Sequence, residues 1–226
     1  MKIGIIVAMG KELELLIPIL KNHSTTTFDN VAFHTGTIGP NSIVALQCGI
    51  GKVNAAFGTQ NMINHYSPDC IINTGVAGGA DSSVNVLDVV IGTQVAYHDM
   101  WCGQDYAPGQ LQGFPLYFNT SKEMADVLTL GPNKKKGLIC SGDQFIDNID
   151  KIKEIKNNFP QVLAVDMEST AIAHVCYLKH VPFLSVRVIS DSPLANANNM
   201  QQYKDFWTKA PAETFEILKE LITKIK

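Results

Sequence analysis

Residues 182–191, P-F-L-S-V-R-V-I-S-D, restrict the fold more than any other stretch. A nearly continuous apolar and β-branched run of this length reads as a strand buried on both faces. Three polar side chains interrupt it: Arg187 within the run, and Ser190 and Asp191 at its end. Arg187 is the sole arginine of the chain; the other permanently cationic side chains are lysines. A guanidinium in a buried strand requires an anionic or strongly accepting partner, because burying it alone is prohibitively costly. Open parallel sheets collect ligands beyond the carboxyl ends of their strands, and Asp191 stands at such an end. Two readings follow: a structural Arg–Asp pair closing a core, and a substrate pocket.

The remaining chain supplies the context for such a strand. With 226 residues it is long enough to bury an ample core. Apolar periodicity predicts strands over 2–8, 28–37, 42–48, 69–74, 86–95, 136–141 and 162–165. It predicts helices over 11–20, 53–65, 120–130, 148–158, 169–179 and 200–225, the last broken near Pro211. Strands alternate with helices after an early β-meander, which predicts one mixed-sheet α/β sandwich over residues 1–226. Glycines follow two strands, at Gly49-Ile50-Gly51 and at Gly75 to Gly79. There they serve as tight turns or bring the backbone close to a ligand. Lys134 to Lys136 reads as a solvated loop. Residues 97–115, rich in Gly, Pro, Gln and aromatics, read as a functional loop or a subunit contact. Residues 192–199 read as a polar lid. His98 beside Asp99 suggests a base with its orienting carboxylate, but neighbours in an extended segment point apart.

Charge and cysteine usage exclude several classes. A net charge of -3 argues against a nucleic-acid or anionic-membrane partner. No apolar stretch approaches the roughly 18 residues of a membrane span. Met1 to Ile6 runs straight into a strand-like stretch with no cleavage site, so no signal peptide is expected. The five cysteines are scattered and lack any C-x-x-C spacing. They predict reduced thiols in a cytoplasmic protein, with neither a disulfide framework nor a zinc site. No metal-ligand cluster or cofactor motif is present, so no cofactor is expected.

What remains is a set of carboxylates at strand ends: Glu12 past the first strand, Glu168 after the strand at 162–165, and Asp191. Glu12 also reads as a plain charge at a helix start. Phe145, at another strand end, is either core or a flat surface for an aromatic ligand. Carboxylates without a metal suit acid–base work on an oxocarbenium-like centre, as in glycoside cleavage.

The motifs K-I-G-I-I-x-A-M at 2–9 with Glu12, G-I-G-K-V-N-A-A at 49–56 and I-I-N-T-G-V-A-G-G at 71–79 have a known counterpart. So do S-G-D-Q-F-I at 141–146, V-D-M-E-S-T-A-I-A-H-V-C at 165–176 and V-R-V-I-S-D at 186–191. Together they resemble the bacterial 5′-methylthioadenosine/S-adenosylhomocysteine nucleosidases of the purine nucleoside phosphorylase superfamily, over essentially the whole chain. The resemblance implies a nucleoside phosphorylase-like, single-domain, three-layer α/β/α sandwich with a central mixed β-sheet. It implies hydrolysis of 5′-thioadenosines to adenine and a 5-thioribose, in methionine salvage and the recycling of S-adenosylmethionine by-products. By the same resemblance Asp191 is the general acid at purine N7, Ser190 orients it, and Glu12 activates water. Met167 and Glu168 bind ribose, and Arg187 lies beside the water and the sugar hydroxyls. Phe145 stacks on adenine while Ile146 reads its edge through backbone groups. Met9, Ile50, Val76, Ala77 and Gly78 line the pocket. A homodimer is implied, with the 97–115 loop at its interface. Two loops depart from the usual family sequence: 192–200, S-P-L-A-N-A-N-N-M, and 97–115, which carries Trp101, Cys102 and Gln112. The competing readings are a purine nucleoside phosphorylase and a non-catalytic nucleoside-binding protein. The first needs a phosphate site, usually built around arginines.

Overall fold

The run K-I-G-I-I-V forms β1 (Lys2–Val7), and its side chains alternate between two apolar cores. Ile3 and Ile5 pack into one core, Ile6 into the other. This period of two is what a strand covered on both faces requires. The computed structural model describes residues 1–194, 198–209 and 213–225. After β1 come α1 (Gly10–Leu16), β2 (Lys21–Phe28), β3 (Val31–Ile38), β4 (Asn41–Gln47) and α2 (Lys52–Tyr66). The middle of the chain holds β5 (Cys70–Gly79), β6 (Val89–Tyr97), β7 (Phe118–Asn119), α3 (Lys122–Asp126) and β8 (Lys134–Ser141). The last part holds α4 (Ile149–Asn158), β9 (Val162–Asp166), α5 (Ser169–Lys179), β10 (Phe183–Asp191), α6 (Asn199–Lys209) and α7 (Glu213–Lys224).

All strands join one mixed sheet. β5 pairs in parallel with β10, and β10 pairs antiparallel with β6. β6 and β8, then β8 and β9, pair in parallel, and β9 returns antiparallel to β5. These five strands therefore close a ring. β1 extends from β5, and β4, β3 and β2 follow it as a wing. Helices cover both faces. α2 and α5 bury Ala55, Met62, Ile172 and Cys176 against Ile6, Leu46 and Ile71. On the opposite face Leu16, Met124, Phe206, Leu218 and Leu221 cover Ile3, Ile43, Ile72 and Leu184. α4 seals β8 and β9 through Ile152 and Ile155. The result is a three-layer α/β/α arrangement around a mixed sheet, as the motifs imply, with the added closure of five strands.

Several expectations change. The stretch at 75–79 is no turn: β5 runs through its glycines to Gly79 and pairs with β9 and β10 there. Lys134 to Lys136 is not a solvated loop but the start of β8. Its ammonium groups meet Glu220 at 2.6 Å, Asp88 at 2.8 Å and Asp126 at 2.6 Å. β2 escaped notice because K-N-H-S-T-T-T-F has no apolar alternation, and all its residues are exposed at the sheet edge. The first helix ends at Leu16, with Pro18 in a 3-10 turn, Ile17–Ile19. α3 is shorter than expected, and Ser121 caps it by accepting the Met124 N–H. Pro211 and part of the predicted lid, residues 195–197, lie outside the described residues; Asn199 opens α6.

Candidate active site

All nine residues of β10 are buried, Arg187 among them at 1% exposure. Its guanidinium solves the burial problem with an acceptor from each neighbour. Nη2 meets Asp166 Oδ2 at 2.7 Å, donates to Asn73 Oδ1 at 2.6 Å and stands 3.6 Å from Glu168 Oε2. Nε donates to Ser169 Oγ at 3.3 Å. Burial opposes the charge, but Asp166, Glu168 and Glu12 outweigh it and hold the pKa above the ordinary arginine value. Asp166 is itself fixed by Ser141 Oγ at 2.5 Å and by the Ser169 hydroxyl. The Arg187–Asp191 pair of the structural reading does not form; Asp166, at the end of β9, takes that place. Asp166, Asn73 and Ser169 were not singled out from sequence. A buried arginine announces that it needs acceptors, but spacing does not say which.

Glu12, in the first turn of α1, is 1% exposed and therefore no solvated helix-start charge. Its Oε2 accepts the Ala8 and Met9 N–H groups, each at 2.9 Å, and Oε1 accepts Val76 N–H at 3.2 Å. Burial raises its pKa, against the pull of Arg187 and those backbone donors. Gly75 makes this approach possible. Its φ is +145°, and a Cβ there would collide with Glu12 Oε1 and stand 2.7 Å from Arg187 Nη1.

Glu168 precedes α5 and accepts Gly51 N–H at 2.9 Å, which Gly51 presents from a φ of +95°. Burial raises its pKa, opposed by Arg187 and assisted by Asp166. Asp191 ends β10 just past a slip in its register with β5, between Ile189 and Asp191. Ser190 Oγ donates to its Oδ1 at 2.6 Å and Asn199 Nδ2 to its Oδ2 at 3.0 Å. Burial nevertheless raises its pKa above the usual carboxylate value.

These groups border one cleft of about 770 Å³ including its open mouth. Glu12, Glu168, Arg187, Ser190 and Asp191 supply its polar wall. Met9, Ile50, Val76, Ala77, Gly78 and Met167 supply apolar and backbone surface. Phe145, 42% exposed, and Ile146 close one side. Every residue that the resemblance assigns to the site thus borders a single cavity. Met200 and Tyr203 of α6 also reach it, unforeseen. Tyr203 packs edge-on to Phe145 and donates to Met9 Sδ at 3.3 Å. Their only sequence signal was an aromatic and a methionine on a helix after the lid.

His98 and Asp99 do not pair. Asp99 accepts Lys52 Nζ at 2.7 Å and Asp143 N–H at 2.9 Å, and His98 Nε2 has no hydrogen-bond partner among the described residues. Among the described residues no group of three or more His, Cys, Asp or Glu side chains is placed to hold a metal ion.

Residues 2–223 match the phosphorylase superfamily. Over 231 aligned residues the chain is 39% identical to the 5′-methylthioadenosine/S-adenosylhomocysteine nucleosidase of Haemophilus influenzae, with 100% of each covered. It is 40% identical to that of Staphylococcus aureus, covering 99% of this chain and 100% of the relative. Among solved structures, the S. pneumoniae nucleosidase with the transition-state inhibitor MT-ImmA superposes with a TM-score of 0.93 at 37% identity, with 100% of each chain covered. The chain belongs to the 5′-methylthioadenosine/S-adenosylhomocysteine nucleosidases, a family of N-glycosyl hydrolases within the phosphorylase superfamily.

Proposed function

We propose that the chain hydrolyses the N-glycosidic bond of 5′-methylthioadenosine, S-adenosylhomocysteine and 5′-deoxyadenosine to adenine and the 5-substituted ribose. The observation that carries this reading is the meeting of Glu12, Glu168 and Asp191 around one cleft of nucleoside size. In this reading Asp191, protonated, gives its proton to purine N7. The C1′–N9 bond then breaks with its electron pair going to the base, which leaves as neutral adenine. Water attacks the cationic C1′, and Glu12 accepts the proton that water loses. Each proton transfer is worth roughly 10²–10⁴-fold. Glu168 accepts hydrogen bonds from the ribose hydroxyls, next to Met167. Arg187 lies beside the water and sugar, Ser190 orients Asp191, and Phe145 and Ile146 hold the base. Carboxylates near a developing ribosyl cation stabilise it more than they stabilise the neutral substrate.

Phosphorolysis is the weaker reading. Its phosphate site is usually built around arginines, and the one arginine is already committed to Asp166 and Asn73. Adenine release from the three nucleosides, with and without phosphate, tests the proposal. Hydrolysis predicts undiminished release in phosphate-free buffer; strict phosphate dependence overturns it.

The same reading makes residues 1–226 one nucleoside phosphorylase-like domain and the protein a cytoplasmic homodimer with the 97–115 loop at the interface. The large exposed apolar side chains Val53, Phe57, Trp101, Tyr177 and Leu178 support a protein partner. All five cysteines are free, which fits a reducing compartment. No helix among the described residues is long and apolar enough to cross a membrane.

A further inference from the structure

Asn199 has no part in the roles assigned so far, yet it is 2% exposed and lies at the acid. Its Nδ2 carries two hydrogens and spends both: one on Asp191 Oδ2 at 3.0 Å, one on the Ile146 carbonyl at 3.1 Å. The two acceptors fix the amide orientation, because its Oδ1 has no proton to offer either of them. Asn199 is the first residue of α6, the helix that also brings Met200 and Tyr203 to the cleft. One turn on, Gln202 Oε1 accepts the Ser192 N–H at 2.9 Å. α6 therefore grips the end of β10 on both sides of the Asp191–Ser192 bond. Asn199 itself is not among the side chains that border the cleft.

We propose that Asn199 is a positioning residue through which docked α6 sets the orientation of Asp191 toward the cleft. The inference rests on the reading of Asp191 as general acid. Asp191 begins each turnover protonated and ends it as a carboxylate. A donor on Oδ2 is stronger toward the carboxylate, so it favours the proton's departure. Ser190 and Asn199 are the side-chain donors to Asp191, and both act against its burial. The other titratable and charged groups of the cleft are Glu12 on α1, Asp166 at the end of β9, Glu168 before α5, Arg187 on β10 and Tyr203 on α6. Burial raises the pKa of Tyr203, and the nearby Glu12, Asp191 and Glu168 add to the rise.

The test is the pH dependence of kcat and KM for Asn199→Ala and the isosteric Asn199→Asp, with Asp191→Asn as control. Asn199→Ala should lower kcat about tenfold and move its alkaline limb up by about one pH unit, with KM within about twofold. Asn199→Asp, which places a carboxylate beside Asp191, should move that limb the same way. If Asn199→Ala fails to fold, the isosteric variant decides. A residue of purely structural use would cost stability and rate but leave the limb in place. Limbs unmoved in the folded variants, with Asp191→Asn inactive, overturn the role of Asn199 alone. An active Asp191→Asn overturns the acid assignment and the inference with it.

Discussion

Glu12 and Asp191 are both carboxyls with raised pKa values, and the proposed mechanism gives them opposite roles, base and acid. Glu12 receives three backbone N–H bonds and feels Arg187, all favouring the carboxylate that a base must be. Asp191 has two neutral side-chain donors set against the burial that raises its pKa. The base is active when deprotonated, so activity falls as pH drops through the Glu12 pKa. The acid is active when protonated, so activity falls as pH rises through that of Asp191. A bell-shaped profile of kcat/KM is therefore expected, and a profile that stays flat on its alkaline side would contradict the acid role. Phe145 presents an exposed ring to the cleft. Phe145→Ala should weaken adenine binding by about 1–3 kcal/mol, measured by calorimetry. These residues were legible in the sequence because each is a polar or aromatic side chain at a strand end, where burial needs a reason. Asp166, Asn73 and Asn199 were not. Their importance lies in whom they meet, and the partners are 114 residues apart for Asn73 and Arg187.

At the level of elements, β10 and the strands beside it form the frame of the site. Arg187 ties β10 to β5 through Asn73, to the end of β9 through Asp166, and to α5 through Ser169. Replacing it by methionine leaves Asp166 and Glu168 buried without their cation. Arg187→Met should cost about 3–5 kcal/mol of unfolding free energy in denaturant titration; an unchanged midpoint would contradict the network. The strand at 182–191 was legible because its apolar run is almost unbroken. The path of β5 through Gly75, Gly78 and Gly79 was not, since glycines after an apolar run signal a turn more often than a strand. Here their purpose is to admit Glu12, Val165 and Ser192 against the backbone. The three lysines of β8 misled for the opposite reason. Their charge suggested solvent, while Asp88, Asp126 and Glu220 wait for them from distant parts of the chain.

Across the whole molecule, alternation of strands and helices indicated layers but not closure. The ring of β5, β10, β6, β8 and β9 depends on long-range pairings, and local periodicity carries no record of which strands become neighbours. The outer surface carries its own prediction. Val53, Phe57, Trp101, Tyr177 and Leu178 leave large apolar side chains in water. Sedimentation equilibrium should report two copies of the 24.7 kDa chain, and a monomer at micromolar concentration would contradict the dimer.

The account as a whole depends on Glu12 and Asp191 acting on one bound nucleoside. The most direct test measures turnover of 5′-methylthioadenosine and calorimetric binding of an adenine nucleoside on the same samples of Glu12→Gln and Asp191→Asn. Turnover should fall roughly 10²–10⁴-fold in each variant, with affinity close to that of the unaltered protein. Full turnover in either variant, or binding lost together with turnover in both, would contradict the account.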